Sequence, residues 1–245
     1  MEIIVSNLNI GFQTCKHNHL KIEEEIQLAL NNGLNYFDIF FDGFSPDDVS
    51  DSQIDKILEL KKEGINYTIH SAIADYKEYP KFMDRIIDFS NKIGALTFTI
   101  HFDKLSYETI DKILSKLSTN TKLSIENTIP DKNYIYEKNY LEFIKEASKR
   151  FKNIYSTFDI GHCFINKYDI TEYITKIIDF TQISTFHLHN NDGITDTHNC
   201  LNKGNIDVKK IMEFLKSKNL YSIFIIEHWQ DNFLSLKYII QISTD

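Results

Sequence analysis

Residues 154–159 read IYSTFD, and the last three of them, Thr157-Phe158-Asp159, set the reading of the whole chain. The run is β-branched and aromatic enough to form a strand. Side chains of a strand alternate between its faces, so Thr157 and Asp159 share one face and Phe158 takes the other. The same triplet returns at Thr68–His70, Thr99–His101, Ser124–Glu126 and His187–His189, with Ile69, Ile100, Ile125 and Leu188 in the middle. In each, a small or polar residue precedes a metal-capable one by two positions. The apolar middle residues are expected to pack on helices, and the polar pairs to face a shared interior.

Around these triplets, strand-like runs recur at Ile3–Val5, Tyr36–Phe41, Tyr67–His70, Leu96–His101, Leu123–Glu126, Ile154–Asp159, Ile183–His189 and Ser222–Glu227. Amphipathic helical patterns lie between and after them, at Ile22–Asn31, Ser52–Lys62, Lys81–Ile93, Tyr107–Leu117, Tyr140–Phe151, Ile170–Phe180, Val208–Lys218 and Asn232–Ile242. Alternating strands and helices predict a parallel sheet, and eight such units favour a closed barrel over an open doubly wound sheet. Three prolines and no Ser/Gly-rich tract leave no boundary. The expectation is therefore α/β, a single (β/α)8 TIM barrel over residues 1–245.

If the polar series faces the barrel axis, its last members lie at the carboxyl ends of the strands, where barrel active sites are built. Those members are His70, His101, Glu126, Asp159 and His189, and the eighth strand adds Glu227. Loop residues His162, Asp196 and His198 follow close behind. Imidazole nitrogens and carboxylate oxygens without thiolate suit Zn, Mn or Co. A lone histidine at a strand end is usually just a hydrogen-bonded polar residue, but nine such groups at one rim are hard to satisfy without metal. Asp38 and Asp42, at the end of strand two, can either reach this rim or cap the following loop. His187 is expected one step below the rim, His17, His19 and His228 at the surface or rim, and Trp229 as a wall facing substrate.

The bulk composition narrows the partners. A net charge of −8 and a pI near 5.6 disfavour long-range attraction to nucleic acid or anionic membrane. Arg85 and Arg150 are the only arginines, and both fall in helical stretches, so planar phosphate clamps are scarce. Cys15, Cys163 and Cys200 form no CxxC pair, which fits a reduced cytoplasm. The N-terminal MEIIVSNLNIGF shows no secretory leader, and no apolar run reaches the ~18 residues of a membrane span. A homo-oligomer is left open.

The fragments IHSAIADY, TIHFDK, LSIENT, TFDIGHC, HLHNNDGITDTH with NKGNID, and IIEH occur in that order between Tyr67 and Glu227. Together they resemble the xylose-isomerase-like barrel superfamily, which includes sugar epimerases and endonuclease-IV-type AP endonucleases. For the epimerase branch the resemblance implies one divalent metal on Glu126, Asp159, His189 and Glu227. It also implies that Glu126 and Glu227 exchange a proton on opposite faces of the substrate carbon. For the endonuclease branch it implies three metals: His70, His101 and Glu126; then Glu126, Asp159, His189 and Glu227; then His162, Asp196 and His198.

A metal-dependent sugar or sugar-phosphate isomerase/epimerase is the reading favoured here, because the loops after the early strands are short and poor in arginine. The alternative is an AP endonuclease or other phosphoester hydrolase. The ketose epimerases carry an arginine shortly after the strand-seven histidine, whereas Asn190 to Asp196 contains none. His162, Lys104, Lys203 and Trp229 are the expected substrate contacts, the lysines for a phosphate group. A catalytically silent metal-binding barrel is a third reading, opposed by the intact Glu126/Glu227 pair.

Overall fold

The computed structural model describes residues 9–14, 22–71, 75–131, 139–220, 222–228 and 232–244. Eight parallel strands close into a barrel in sequence order: β1 (Ile10–Gln13), β2 (Tyr36–Phe40), β3 (Asn66–His70), β4 (Thr97–His101), β5 (Lys122–Glu126), β6 (Ile154–Asp159), β7 (Ile183–Leu188) and β8 (Ile223–Ile226). The described helices are α1 (Ile22–Asn31), α2 (Asp51–Lys62), α3 (Pro80–Ile93), α4 (Tyr107–Lys116), α5 (Tyr140–Arg150), α6 (Ile160–Ile165), α7 (Ile170–Ile178), α8 (Val208–Ser217) and α9 (Asn232–Thr244). None is long and apolar enough to cross a membrane.

One strand is not where the sequence pattern put it. Ile3–Val5 lies outside the described residues, and the strand that closes the barrel is Ile10–Gln13, pairing Phe12 with Phe37 on one side and Ile226 on the other. IGFQ carries a glycine and a glutamine and makes a weaker strand signal than MEIIV. Gly11 is needed there because a Cβ would fall 2.5 Å from the Tyr36 carbonyl oxygen. The short helix α6 was also hidden. β6 runs straight into it, and Asp159 serves at once as strand end and helix cap, its Oδ1 accepting from the His162 N–H at 2.6 Å.

Several helices begin on side-chain caps. Ser50 accepts from the Gln53 N–H, Ser106 from Thr109, Asn139 from Glu142 and Asp207 from Lys210. Their apolar stripes cover the outward residues of the strands, and Ile69, Ile100, Ile125, Phe158 and Leu188 are all fully buried in that layer. Inside the barrel the small polar residues interlock across the axis. Thr99 Oγ1 meets Thr157 Oγ1 at 2.9 Å, Thr157 donates to Ser124 at 2.7 Å, and Ser124 meets Ser184 at 2.8 Å. This hydroxyl layer is the floor on which the His, Asp and Glu layer rests, His101, Glu126 and Asp159 lying two residues beyond Thr99, Ser124 and Thr157.

Candidate metal centre

The nine rim residues predicted from sequence come together in three neighbouring groups, and a fourth, Asp38–His70–His187, lies deeper in the barrel. Among the described residues, ligand atoms within 4.8 Å of one another occur in His70–His101–Glu126, in Glu126–Asp159–His187–Glu227, and in His162–His189–Asp196–His198. Glu126 joins the first group to the second. Asp159 joins the second to the third, because His189 Nε2 lies 3.1 Å from both of its oxygens. His189 thus packs with the outer histidines, while His187, expected below the rim, places Nδ1 3.2 Å from Glu126 Oε1 and 3.3 Å from Glu227 Oε2.

Two of the outer histidines are held in one orientation. His162 Nδ1 lies 2.8 Å from the Asn127 carbonyl and His198 Nδ1 3.1 Å from the Glu227 carbonyl, so each Nδ1–H donates to backbone. The Nε2 atoms then turn to Asp196 Oδ2, at 3.4 and 3.2 Å. A backbone carbonyl behind the ring that presents the other nitrogen forward is the usual support of a metal-binding histidine. His189 and His198 stack with centroids 3.9 Å apart and planes 10° apart.

The charges are extreme for so buried a place. Burial pushes the Glu126 and Glu227 carboxyls up, but His187 and the other nearby imidazoles outweigh it and hold both well below the ordinary carboxylate range. Burial equally disfavours imidazolium at His187, yet Glu126 and Glu227 hold its pKa well above the ordinary value. His162 is likewise raised, Asp159 and Asp196 overcoming burial, and His198 is raised to about 9 chiefly through Asp196. His101 goes the other way, pushed down to about 4 by burial, with Glu126 opposing and His70 reinforcing. Carboxylates kept ionised beside imidazoles are the protonation states from which oxygen and nitrogen ligands meet a divalent cation, with the raised histidines giving up a proton as it binds.

A sign of fit is that, among the described residues, Asp196 Oδ1, His187 Nε2 and His189 Nδ1 have no hydrogen-bond partner, and Glu126 Oε2 and Glu227 Oε2 have only imidazole beside them, nearest at 3.0 and 3.3 Å. A buried polar atom left without a hydrogen bond costs about 1–3 kcal/mol, and more where it carries charge. The donor set, oxygen and imidazole nitrogen only, matches Zn, Mn or Co.

Above the centre opens a cavity of about 450 Å³ lined by His70, His101, His162, Asp196, His198 and Glu227 on its floor and by Phe40, Lys104, Ile129, Ile165 and Ile194 on its walls. Glu227 reaches the cavity, whereas Glu126 is fully buried under His70 and His101. Lys104 lines the wall, 3.1 Å from Asp103, but Lys203 is exposed and not among the lining residues. Trp229, His17 and His19 lie outside the described residues. His228 is buried rather than at the surface, with Nε2 2.9 Å from Ser235 Oγ. Asp38 is inside the barrel, accepting from Thr68 and from Gln13.

Two contributors escaped the sequence reading. Gln13 was missed with its strand. Asn127, next to Glu126 in LSIENT, bridges the rim: its Nδ2 donates to the Asp159 carbonyl at 2.9 Å and its Oδ1 accepts from the Asp159 N–H at 2.9 Å. An amide directly after a strand-end carboxylate was the available signal. The two arginines are engaged elsewhere, Arg85 with Asp47 at 2.7 Å and Arg150 over the Tyr107 ring.

The model of the family described as "Xylose isomerase-like TIM barrel" matches residues 26–241. An uncharacterized protein of Methanocaldococcus jannaschii is 27% identical over 178 residues, covering 63% of this chain and 68% of that protein. Among solved structures, a D-tagatose 3-epimerase-like protein superposes with a TM-score of 0.78 at 17% identity, covering 97% of both chains. Endonuclease IV from Thermus thermophilus superposes with a TM-score of 0.74 at 16% identity, covering 96% of this chain and 99% of that one. At these identities the structural likeness is one of fold.

Proposed function

Because the chain belongs to the xylose isomerase-like TIM barrel family, we propose that it is a divalent-metal-dependent isomerase or epimerase of a sugar or sugar phosphate. The observation that carries this reading is the pairing of two ionised carboxylates on one histidine: Glu126 and Glu227 share His187 Nδ1 beneath a cavity large enough for a monosaccharide. Proton transfer next to a carbonyl needs a base on one face and an acid on the other, and positioned carboxylates supply both.

In this reading Glu126, Asp159, His189 and Glu227 hold Zn, Mn or Co, with His187 beneath them. A cation bound there supplies the positive charge that makes a proton α to a carbonyl removable. Glu227, which faces the cavity, takes that proton. Glu126, held by the same His187 Nδ1 and buried beneath His70 and His101, is the second acid/base group in this reading. His162 and Lys104 orient substrate oxygens from the wall, and Phe40, Ile129 and Ile165 exclude water from the reacting carbon. A D-tagatose 3-epimerase-like protein with the same barrel is consistent with this class.

One observation favours a second reading. The His162–His189–Asp196–His198 group offers a further set of ligands, as multi-metal phosphoester hydrolysis would use, and endonuclease IV shares the barrel. The acidic chain and the engagement of Arg85 and Arg150 away from the cavity weigh against a DNA substrate. The two readings separate in parallel assays of one metal-loaded preparation: chromatographic interconversion of ketoses, aldoses and their phosphates, and nicking of an abasic duplex. Interconversion abolished by Glu227→Gln supports the first. Nicking without interconversion overturns it.

A further inference from the structure

Gln13 is the last residue of β1 and Glu227 the first after β8, each one position beyond the paired Phe12 and Ile226. Their side chains meet inside the barrel, where Gln13 Nε2 donates to Glu227 Oε1 at 2.7 Å and to Asp38 Oδ2 at 3.2 Å. Carboxylates only accept, so the atom between them is the NH2 group, and each of its two hydrogens has a carboxylate. His70 Nδ1 packs beside the same nitrogen at 3.2 Å. Asp38, the register partner of Gln13 on β2, is held at its other oxygen by Thr68 of β3. Gln13, Asp38, Thr68 and Glu227 are all buried.

This contact makes the two oxygens of Glu227 unequal. Oε1 is anchored by Gln13, while His70 Nδ1, 3.7 Å from it, is beyond hydrogen-bond reach. Oε2 has no hydrogen bond, only His187 Nδ1 beside it at 3.3 Å. The terminal torsion of a glutamate is broad, so a short bond to a fixed donor is what sets the plane of the carboxylate. The donor is neutral. An amide N–H orients a carboxylate without cancelling its charge and, unlike a lysine ammonium, brings no exchangeable acid to the site. The Glu126 oxygens lie against imidazoles instead.

We propose that Gln13 is a positioning residue for Glu227: braced on Asp38, it holds Oε1 and so fixes the direction in which Oε2 is presented to metal and substrate. Thr68, Asp38 and Gln13 form a hydrogen-bonded brace running from β3 through β2 and β1 to the base, and the strand that closes the barrel thereby contributes to the site. The reaction that Glu227 serves here is the one given by the metal-dependent isomerase reading, on which this role rests, whereas the anchor itself is a matter of hydrogen bonding. A displacement of about 1 Å at a reacting group can cost about 10²-fold in rate. Loss of the anchor is therefore expected to fall on turnover rather than on substrate affinity.

The test has a structural arm and a kinetic arm. In crystals of the natural protein soaked with manganese, Gln13 Nε2 is expected to stay within hydrogen-bond distance of Glu227 Oε1, with any metal contact of Glu227 made through Oε2. Manganese on Oε1, or an Oε1 that has left Gln13, overturns the proposal. In heavy water with a panel of ketoses and ketose phosphates, manganese-loaded Gln13→Met is expected to lose about 10–100-fold in kcat for deuterium incorporation, with KM and the manganese count per chain within about twofold of the natural protein. A merely structural glutamine would lower the melting temperature and leave kcat per folded chain as it was, so a folded Gln13→Met with natural kcat, or with its loss wholly in KM, also overturns the proposal. If Gln13→Met does not fold, the crystals decide. If the natural protein exchanges no substrate, the isomerase reading falls and the crystals still decide whether Gln13 anchors Glu227.

Discussion

Gly161 lies flat against the imidazole of His189: a Cβ at position 161 would fall 2.0 Å from His189 Cε1 and 2.4 Å from Nε2. The ring cannot slide away, because its other face stacks on His198 at 3.9 Å. Position 161 is thus set by the rim rather than by the helix that contains it, where glycine is a poor choice.

Gly161→Ala is expected to displace His189 and weaken metal binding by about 10–100-fold, the usual cost of disturbing a ligand's support. A chelator-competition titration with zinc or manganese measures this. Affinity equal to that of the natural protein would mean that His189 is not a ligand.

The charged histidines predict how stability depends on pH. The pKa of His198 is raised to about 9, and those of His162 and His187 lie well above the ordinary value near 6.5. A folded-state pKa above the unfolded one gives stability that is full below about pH 6.5 and lost as pH rises through the folded pKa. Chelator-treated protein should therefore melt several degrees lower at pH 9 than at pH 6.5, since 1 kcal/mol is worth about 2–4 °C at this size. Saturating metal takes the place of those protons and should flatten the slope. Binding at pH 7.5 should also release protons, seen as a dependence of calorimetric heat on buffer. A melting temperature level from pH 6.5 to 9 without metal contradicts the assignment.

Neighbours on β5 should behave oppositely. Ile125 points into the helix layer and is fully buried, so Ile125→Ala is expected to cost about 2–5 kcal/mol. Glu126→Gln keeps shape and volume but removes the charge paired with His187, so it should fold and melt several degrees below the natural protein. Its activity should fall by about 10²–10⁴-fold, the contribution of a positioned acid or base. Denaturant melts beside turnover separate the two effects, and a Glu126→Gln protein that is fully active would remove Glu126 from the chemistry.

Much of this architecture was legible because a strand has period two. Thr157-Phe158-Asp159 and its four counterparts announced which residues face helices, which interlock in the hydroxyl layer and which form the rim. What escaped depended on contacts between distant parts of the chain. Gln13 has meaning only beside Asp38, His70 and Glu227, and nothing in IGFQ advertises a strand. The division of the rim between His187 and His189 depends on how far each ring reaches, which alternation alone does not supply. His228 read as a rim residue, but it lies under Ser235 of the last helix.

The most direct test of the central claim, that Glu126 and Glu227 move a proton across a metal-bound sugar, is solvent isotope exchange. Metal-loaded protein is incubated in heavy water with a panel of ketoses and ketose phosphates, and deuterium at the carbon next to the carbonyl is followed by NMR. The expected result is metal-dependent incorporation into at least one substrate, abolished in both Glu126→Gln and Glu227→Gln. No incorporation into any of them, with Glu126-dependent cleavage of a phosphodiester by the same preparation, would contradict it.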